Sequence, residues 1–183
     1  MSTATMKTTF YSTMPSPIGE LTLVSDGSAL IGIYMERRLQ EPPEPENGIA
    51  AGSRPEGWVR EGWIRDDDVL GEARRQLAAY FDGTLTAFDL PIDMRGTPFQ
   101  LQVWEALRSI PFGETVSYAE IARRIGNATA VRAVGAANGR NPVSIIVPCH
   151  RVIGADGSLT GYGGGIERKK WLLAHEERLR MKP

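Results

Sequence analysis

The run from Ser117 to Gly139, SYAEIARRIGNATAVRAVGAANG, decides how the second half of this chain is read. Ser117-Tyr118-Ala119-Glu120 has the spacing of a capping box, which starts a helix by satisfying its first backbone N–H groups. The pattern predicts a helix to Ile125, closed by Gly126, and a second short helix from Thr129 to Asn138, closed by Gly139. Two short helices joined by a glycine-containing turn have the outline of a helix-turn-helix. The second helix has a bare surface: Ala130, Ala133, Gly135, Ala136 and Ala137 are small, and Arg132 is its one long charged side chain. Such a surface permits close approach, either to another helix or to a nucleic-acid backbone and groove. Arg132 accordingly reads as a surface ion pair or as a cation that enters a groove.

Working outward, Thr97-Pro98 is a good cap and first position for a helix through Phe99, Val103, Trp104 and Leu107. Beyond the helix pair, Asn141-Pro142 marks a turn and Val143 to Val147 reads as a buried extended run. A glycine-rich loop spans Gly154 to Gly165, and a final helix runs from about Glu167 to Arg180. The first half has a different texture. Thr8 to Met35 reads as β, with Leu21, Leu23 and the run Leu30 to Tyr34 separated by the turn signals Pro17-Ile18-Gly19 and Asp26-Gly27-Ser28. Gln40 to Gly57 lacks periodicity and is rich in Pro, Glu and Gly, as an exposed loop is. Leu70, Ala73, Leu77 and Phe81 recur at helical spacing before the stop signal Gly83, and Ala87 to Ile92 reads as a short extended piece.

Charge divides at the same place as texture. Residues 1–94 carry 8 Lys and Arg against 15 Asp and Glu, whereas residues 95–183 carry 13 against 7. A net charge of −1 therefore hides −7 in one half and +6 in the other, an asymmetry that suggests a polyanion partner for the second half. A domain boundary is placed near Asp93 to Gly96. The chain has no apolar run long enough to span a membrane, so no membrane partner is expected. Met1 to Phe10 is Thr-rich without an apolar signal-peptide core, which reads as an intracellular protein. One cysteine excludes an internal disulfide, and with only two histidines no cysteine/histidine zinc site is expected.

That one cysteine lies in Pro148-Cys149-His150-Arg151-Val152. A lone cysteine is most often a small buried hydrophobe. Here an imidazole and a guanidinium flank it, and such neighbours are able to lower a thiol pKa. A nucleophilic thiol needs a base, and the base benefits from an orienting carboxylate. Cys149, His150 and Glu176 supply those three groups if the last helix packs behind the cysteine. Adjacent residues of a strand point to opposite faces, so Cys149 and His150 can cooperate only at a bend or through a water.

Several separated motifs now add up. Asn141-Pro142, Pro148 to Val152, Gly161-Tyr162-Gly163-Gly164-Gly165 and Trp171-Leu172-Leu173-Ala174-His175-Glu176 resemble, in this order, the O6-alkylguanine-DNA alkyltransferases. The resemblance runs from Gly96 to Glu176, including Phe112 to Tyr118 and Arg132-Ala133-Val134-Gly135; the amino-terminal half is similar only loosely. It implies an α/β (α+β) fold. Residues 1–93 would form a small β-sheet domain with a helix, ribonuclease H-like, with an exposed loop at about 40–65. Residues 94–183 would form a mostly helical winged helix-turn-helix domain that bears the cysteine.

The resemblance also implies roles. Cys149 would accept an alkyl group from O6 of guanine, or less well O4 of thymine, in double-stranded DNA. His150 would be its base through a water, Glu176 would orient His150, and Asn141 would hold the turn that presents the thiol. Tyr118 would hydrogen-bond the flipped base and help protonate it. Arg132 would fill the vacated stack, with Thr129, Ala130, Ala133, Gly135 and Ala136 against the groove. Pro148, Val152, Tyr162 and Gly163 would line the substrate pocket, although Gly163 stands where several relatives carry serine. No cofactor is implied, nor a metal. The expected protein is cytoplasmic and monomeric, able to cluster on DNA, and spent by one reaction because a thioether does not hydrolyse back to a thiol. Three other readings stand beside this one: a non-enzymatic lesion-recognition protein, which would lack the acceptor cysteine; a helix-turn-helix regulator; and a cysteine hydrolase.

Overall fold

Alternation of inward and outward residues builds a meander at the start of the chain. Its strands are β1 (Phe10–Met14), β2 (Leu21–Ser25) and β3 (Leu30–Glu36), with Met14 opposite Leu21 and Leu23 opposite Ile33. The structure, a computed structural model, describes residues 8–36, 53–54 and 60–181. The turn into β3 is built by Asp26, whose Oδ1 accepts the N–H groups of Ser28 and Ala29 at 3.1 Å, while Gly27 supplies a left-handed φ of 90°.

Two short parallel edges, β4 (Ser53–Arg54) on β3 and β5 (Ile64–Arg65) on β1, complete the order β4-β3-β2-β1-β5. The stretch expected as an exposed loop at about 40–65 is thus sheet at these points, because an open strand edge offers unpaired N–H and C=O groups to extended chain. Most of the remainder of that loop lies outside the described residues.

Helix α1 (Gly71–Asp82) buries Ala73, Gln76, Leu77 and Tyr80. The expected stripe is therefore rotated: Tyr80 is fully buried, and Phe81 is only half-buried. Leu77, also fully buried, contributes about 2 kcal/mol by removal from water. Gly83 ends the helix with φ 79° and donates to Tyr80 O at 3.0 Å. Ala87 to Ile92 forms no strand; it crosses β3 by a single bridge, with Leu30 N–H donating to Pro91 O at 2.9 Å.

Helix α2 (Pro98–Arg108) carries a reciprocal cap. Thr97 Oγ1 accepts from Gln100 N–H at 3.2 Å, and Gln100 Oε1 accepts from Thr97 N–H at 2.9 Å. The box expected at Ser117 closes only halfway. Ser117 Oγ accepts from Glu120 N–H at 3.1 Å, but the Glu120 carboxylate turns to Arg123 and Arg124 at 2.7 Å and 3.1 Å. A charged partner outbids a neutral backbone N–H for a carboxylate. After β6 (Val116–Ser117), helices α3 (Tyr118–Arg124) and α4 (Val131–Gly139) pack on each other and on α2. Trp104 pins the group, its buried indole N–H donating to Ala137 O at 2.8 Å. Gly139 is the last residue of α4, and Arg140 follows as its cap.

The chain closes with β7 (Val152–Ile153), parallel to β6, and α5 (Ile166–Arg180). Buried side chains of the sheet, α1 and the carboxy-terminal helices form one continuous hydrophobic cluster. Among the described residues no helix is long and apolar enough to cross a membrane.

Candidate active site

The segment before the cysteine is not the extended run its apolar residues suggest. Val147 N–H donates to Val143 O at 3.0 Å, and Ile145 sits at φ 76°. A β-branched residue in the left-handed region is rare and costs on the order of 1–2 kcal/mol. Asn141 holds this turn closed: its Oδ1 accepts from Val143 N–H at 3.0 Å and its Nδ2 donates to Val147 O at 2.7 Å. An apolar pattern reports burial, and burial here is achieved by a turn whose polar groups Asn141 satisfies.

Pro148 then bends the chain again. Its φ of −83° and ψ of 63° are those of an inverse γ-turn, and Cys149 N–H donates to Val147 O at 2.8 Å. Cys149–Arg151 follow as one 3-10 turn, the bend needed for a thiol and its neighbouring imidazole to act together. Cys149 is 3 % exposed. Its backbone carbonyl accepts from Asn138 Nδ2 at 3.3 Å.

Burial pushes the Cys149 thiol up, while hydrogen bonds from the Asn141 and Ser144 side chains and the charge of Lys169 act in the opposite direction. This corrects the expectation drawn from sequence neighbours. Neither His150 nor Arg151 holds the cysteine as a thiolate, because both are committed to Glu176.

Glu176, on α5, is the hub. Its Oε1 accepts from Tyr80 Oη at 2.7 Å, lies 2.7 Å from His150 Nε2 and accepts from Arg151 Nη2 at 3.0 Å. Its Oε2 accepts from Arg151 Nε at 2.9 Å and from Gly113 N–H at 3.0 Å. Burial pushes the carboxyl up, but His150 and Arg151 outweigh it and hold it well below the ordinary carboxylate range. Arg151 also donates to Ile110 O at 2.6 Å and lies 5.6 Å from the Phe112 ring centroid.

With Glu176 ionised, Nε2 of His150 carries the hydrogen. Burial pushes the imidazole pKa down, so the ring is neutral and Nδ1 is its acceptor. That Nδ1 is fully buried and has no hydrogen-bond partner among the described residues.

Across the site, Tyr118 is half-buried and donates to Thr160 O at 2.7 Å. Burial pushes its phenol up, keeping it a donor. Lys169 Nζ is buried and donates to Val152 O at 2.5 Å and to Thr160 O at 3.0 Å. Burial lowers its pKa to about 8, with Cys149 opposing that shift. Tyr162 is buried with its hydroxyl 4.0 Å from Met35 Sδ, so β3 backs this loop. Gly164 packs where a Cβ would collide with that same sulfur. Pro148 and Val152 are buried, and Gly163 is half-buried.

The bare helix faces outward. Thr129, Arg132, Ala133 and Ala136 are exposed, and Ala130 and Gly135 are half-buried. The Arg132 side chain has no hydrogen-bond or ion-pair partner among the described residues. The structure thus brings Cys149, His150, Glu176 and Asn141 into one buried cluster and leaves Arg132 and its small neighbours on the surface. No group of three or more His, Cys, Asp or Glu among the described residues can hold a metal.

Reading the sequence missed Tyr80, Ser144, Gly113 and Lys169. Lys169 had a signal: it stands seven residues before Glu176, two turns along the same face of α5. Tyr80 was masked by Phe81, an equally apolar neighbour at helical spacing.

The fold thus places a buried thiol, imidazole and carboxylate beside a pair of short helices that present a bare outward face. The model for the 6-O-methylguanine DNA methyltransferase DNA-binding domain matches residues 98–178, and that for the ribonuclease-like domain of the same proteins matches residues 9–94. The chain belongs to the 6-O-methylguanine DNA methyltransferase family. It is 52% identical over 167 residues to the methylated-DNA–protein-cysteine methyltransferase of Mycobacterium bovis, covering 91% of this chain and 92% of that one. The enzyme of the same description from Methanosarcina acetivorans is 44% identical over 167 residues, covering 91% and 97%. The crystal structure of Mycobacterium tuberculosis OGT in complex with DNA superposes with a TM-score of 0.78 at 50% identity, covering 93% of this chain and 94% of that one.

Proposed function

We propose that this chain repairs alkylated DNA in one direct step, moving the alkyl group from O6 of guanine, and less readily O4 of thymine, onto Cys149. The observation that carries the reading is the buried Nδ1 of His150, without a partner among the described residues, next in sequence to the sole cysteine and backed by Glu176. A thiol that burial keeps protonated needs such an acceptor before it can react.

The thiol proton passes through a water to His150 Nδ1, and Glu176 stabilises the imidazolium that forms. Cys149 Sγ attacks the alkyl carbon as a displacement, forming S–C as C–O6 breaks. The bonding pair leaves on guanine, where Tyr118 Oη donates a hydrogen bond and helps return a proton. A donor aimed at that developing charge counts for most in a dry pocket. The target atom lies inside a base stack, so the nucleotide must be flipped at a cost of a few kcal/mol. Arg132 enters the vacated stack while Thr129, Ala130, Ala133, Gly135 and Ala136 let α4 approach the minor groove. Pro148, Val152, Tyr162 and Gly163 surround the flipped base.

The product is a thioether on a poor electrophile, so each chain reacts once. The scheme balances without a cofactor or a metal. It fits a monomer in the cytoplasm, where the thiol stays reduced. The direct test incubates the protein with a duplex bearing one O6-methylguanine and weighs the peptide containing Cys149. A peptide heavier by one methyl group supports the reading; an unmodified peptide beside an intact lesion overturns it.

A further inference from the structure

The amino-terminal part of the chain sends one polar atom into the buried relay. Tyr80, on α1, is fully buried, and its Oη donates at 2.7 Å to Glu176 Oε1, the oxygen that also lies 2.7 Å from His150 Nε2. Its position is fixed from several sides. His175 Nε2 lies 2.8 Å from Tyr80 O, and the Tyr80 ring meets Phe112 edge-on at 6.1 Å and Phe88 at 5.4 Å. A buried hydroxyl placed only for packing needs some acceptor. This one uses the oxygen on which the proposed base depends.

We propose that Tyr80 is a positioning residue for alkyl transfer, setting the orientation and basicity of His150 through their shared oxygen of Glu176. Hydrogen bonds to one carboxylate oxygen compete for the same charge. While Tyr80 donates, Oε1 offers less to Nε2–H, and the imidazole is a weaker base that gives up its acquired proton more readily. The groups facing His150 are Glu176 and Lys169 from α5 and Arg151 on its own turn; those facing Tyr80 are Glu176 and His175 from α5, Arg151 and Tyr162. Tyr80 is the member of this set that comes from the sheet-bearing half, which gives that half a part in the reaction besides support. The proposal rests on His150 being the base.

The test uses the full chain with Tyr80→Phe, which keeps the ring, and with a 3-fluorotyrosine placed at position 80, which keeps the hydroxyl and makes it a stronger donor. The ring nitrogens of His150 are followed by NMR against pH, and methyl transfer from a lesion-bearing duplex is timed over the same range. Tyr80→Phe should raise the His150 titration by roughly one unit or less, and the fluorinated side chain should lower it. The acid limb of the rate profile should move in the same direction each time. That limb moves because only neutral His150 accepts the thiol proton, and below its pKa each unit removes about tenfold of the neutral form. A His150 titration that is unmoved in both variants overturns the proposal, whatever their rates. If the titration moves as stated but wild-type Cys149 takes up no methyl group, the coupling stands and the repair reading fails.

Discussion

Lys169 and Tyr118 converge on one acceptor: Nζ and Oη both donate to the carbonyl of Thr160, at 3.0 Å and 2.7 Å. Nζ also lies 5.8 Å from the Tyr118 ring centroid. In the proposed reaction Tyr118 would turn its hydroxyl to the incoming base, and Lys169 would then satisfy the carbonyl it leaves.

Lys169→Met should therefore slow methyl transfer by about tenfold, the effect of ~1.4 kcal/mol at the transition state, in a single-turnover assay. The same lysine predicts a stability trend. Its pKa falls from an ordinary 10.5 to about 8 in the fold, so between those values the unfolded chain binds more protons and stability rises with pH. Urea titrations on a Cys149→Ala background, free of the thiol's own titration, should show the lysine protein gaining on the methionine variant across that window. A constant difference would contradict the burial of the ammonium.

Asn141→Ala should destabilise the protein by about 1–3 kcal/mol, since it leaves Val143 N–H buried without a partner and takes from Val147 O one of its two donors, Cys149 N–H remaining. Denaturant unfolding measures the loss. The thiol should also react more slowly with iodoacetamide at neutral pH, because Asn141 is one of the groups that oppose the effect of burial on Cys149. Unchanged thiol reactivity would confine Asn141 to the turn.

Glu176→Gln should cost about 3–5 kcal/mol by leaving the Arg151 charge buried without a counter-ion. In the unaltered protein the carboxyl is held well below its ordinary 4.5. Its contribution is thus complete above about that pH and is lost as pH falls below it, when the unfolded chain takes up the proton first. Acid titration of stability should show a drop in that range that the glutamine variant lacks.

How much of this was legible in the sequence depends on whether a local rule had a distant competitor. Thr97-Pro98 opens a helix as read, and Gln100, which the reading did not name, completes the cap from within the same exposed turn. Ser117 and Glu120 had the same spacing, but Arg123 and Arg124 claimed the carboxylate. Val143 to Val147 looked like a strand because a turn sealed by Asn141 buries the same apolar residues. The side chains around Cys149 were half legible. His150 and Glu176 could be paired on chemistry, whereas Tyr80 comes from 96 residues before Glu176, and no local pattern marks a contact of that reach. Arg151 was misjudged for the same reason: its neighbour in sequence is the thiol, its partner in space is Glu176.

Arg132→Ala should slow repair of a lesion in duplex DNA far more than in a single strand, where no stack needs to be filled. Parallel single-turnover assays on the two substrates measure the ratio. Equal slowing on both would assign Arg132 to general phosphate attraction rather than to the vacated stack.

The central claim is that Cys149 is consumed by one transfer. A duplex carrying O6-methylguanine, in large excess, should be titrated with known amounts of protein until no further lesion disappears. One lesion lost per chain, with every Cys149 methylated at the plateau and none lost by Cys149→Ser, is the result expected. Continued loss of lesions after all Cys149 is modified, or loss with Cys149 left free, would contradict it.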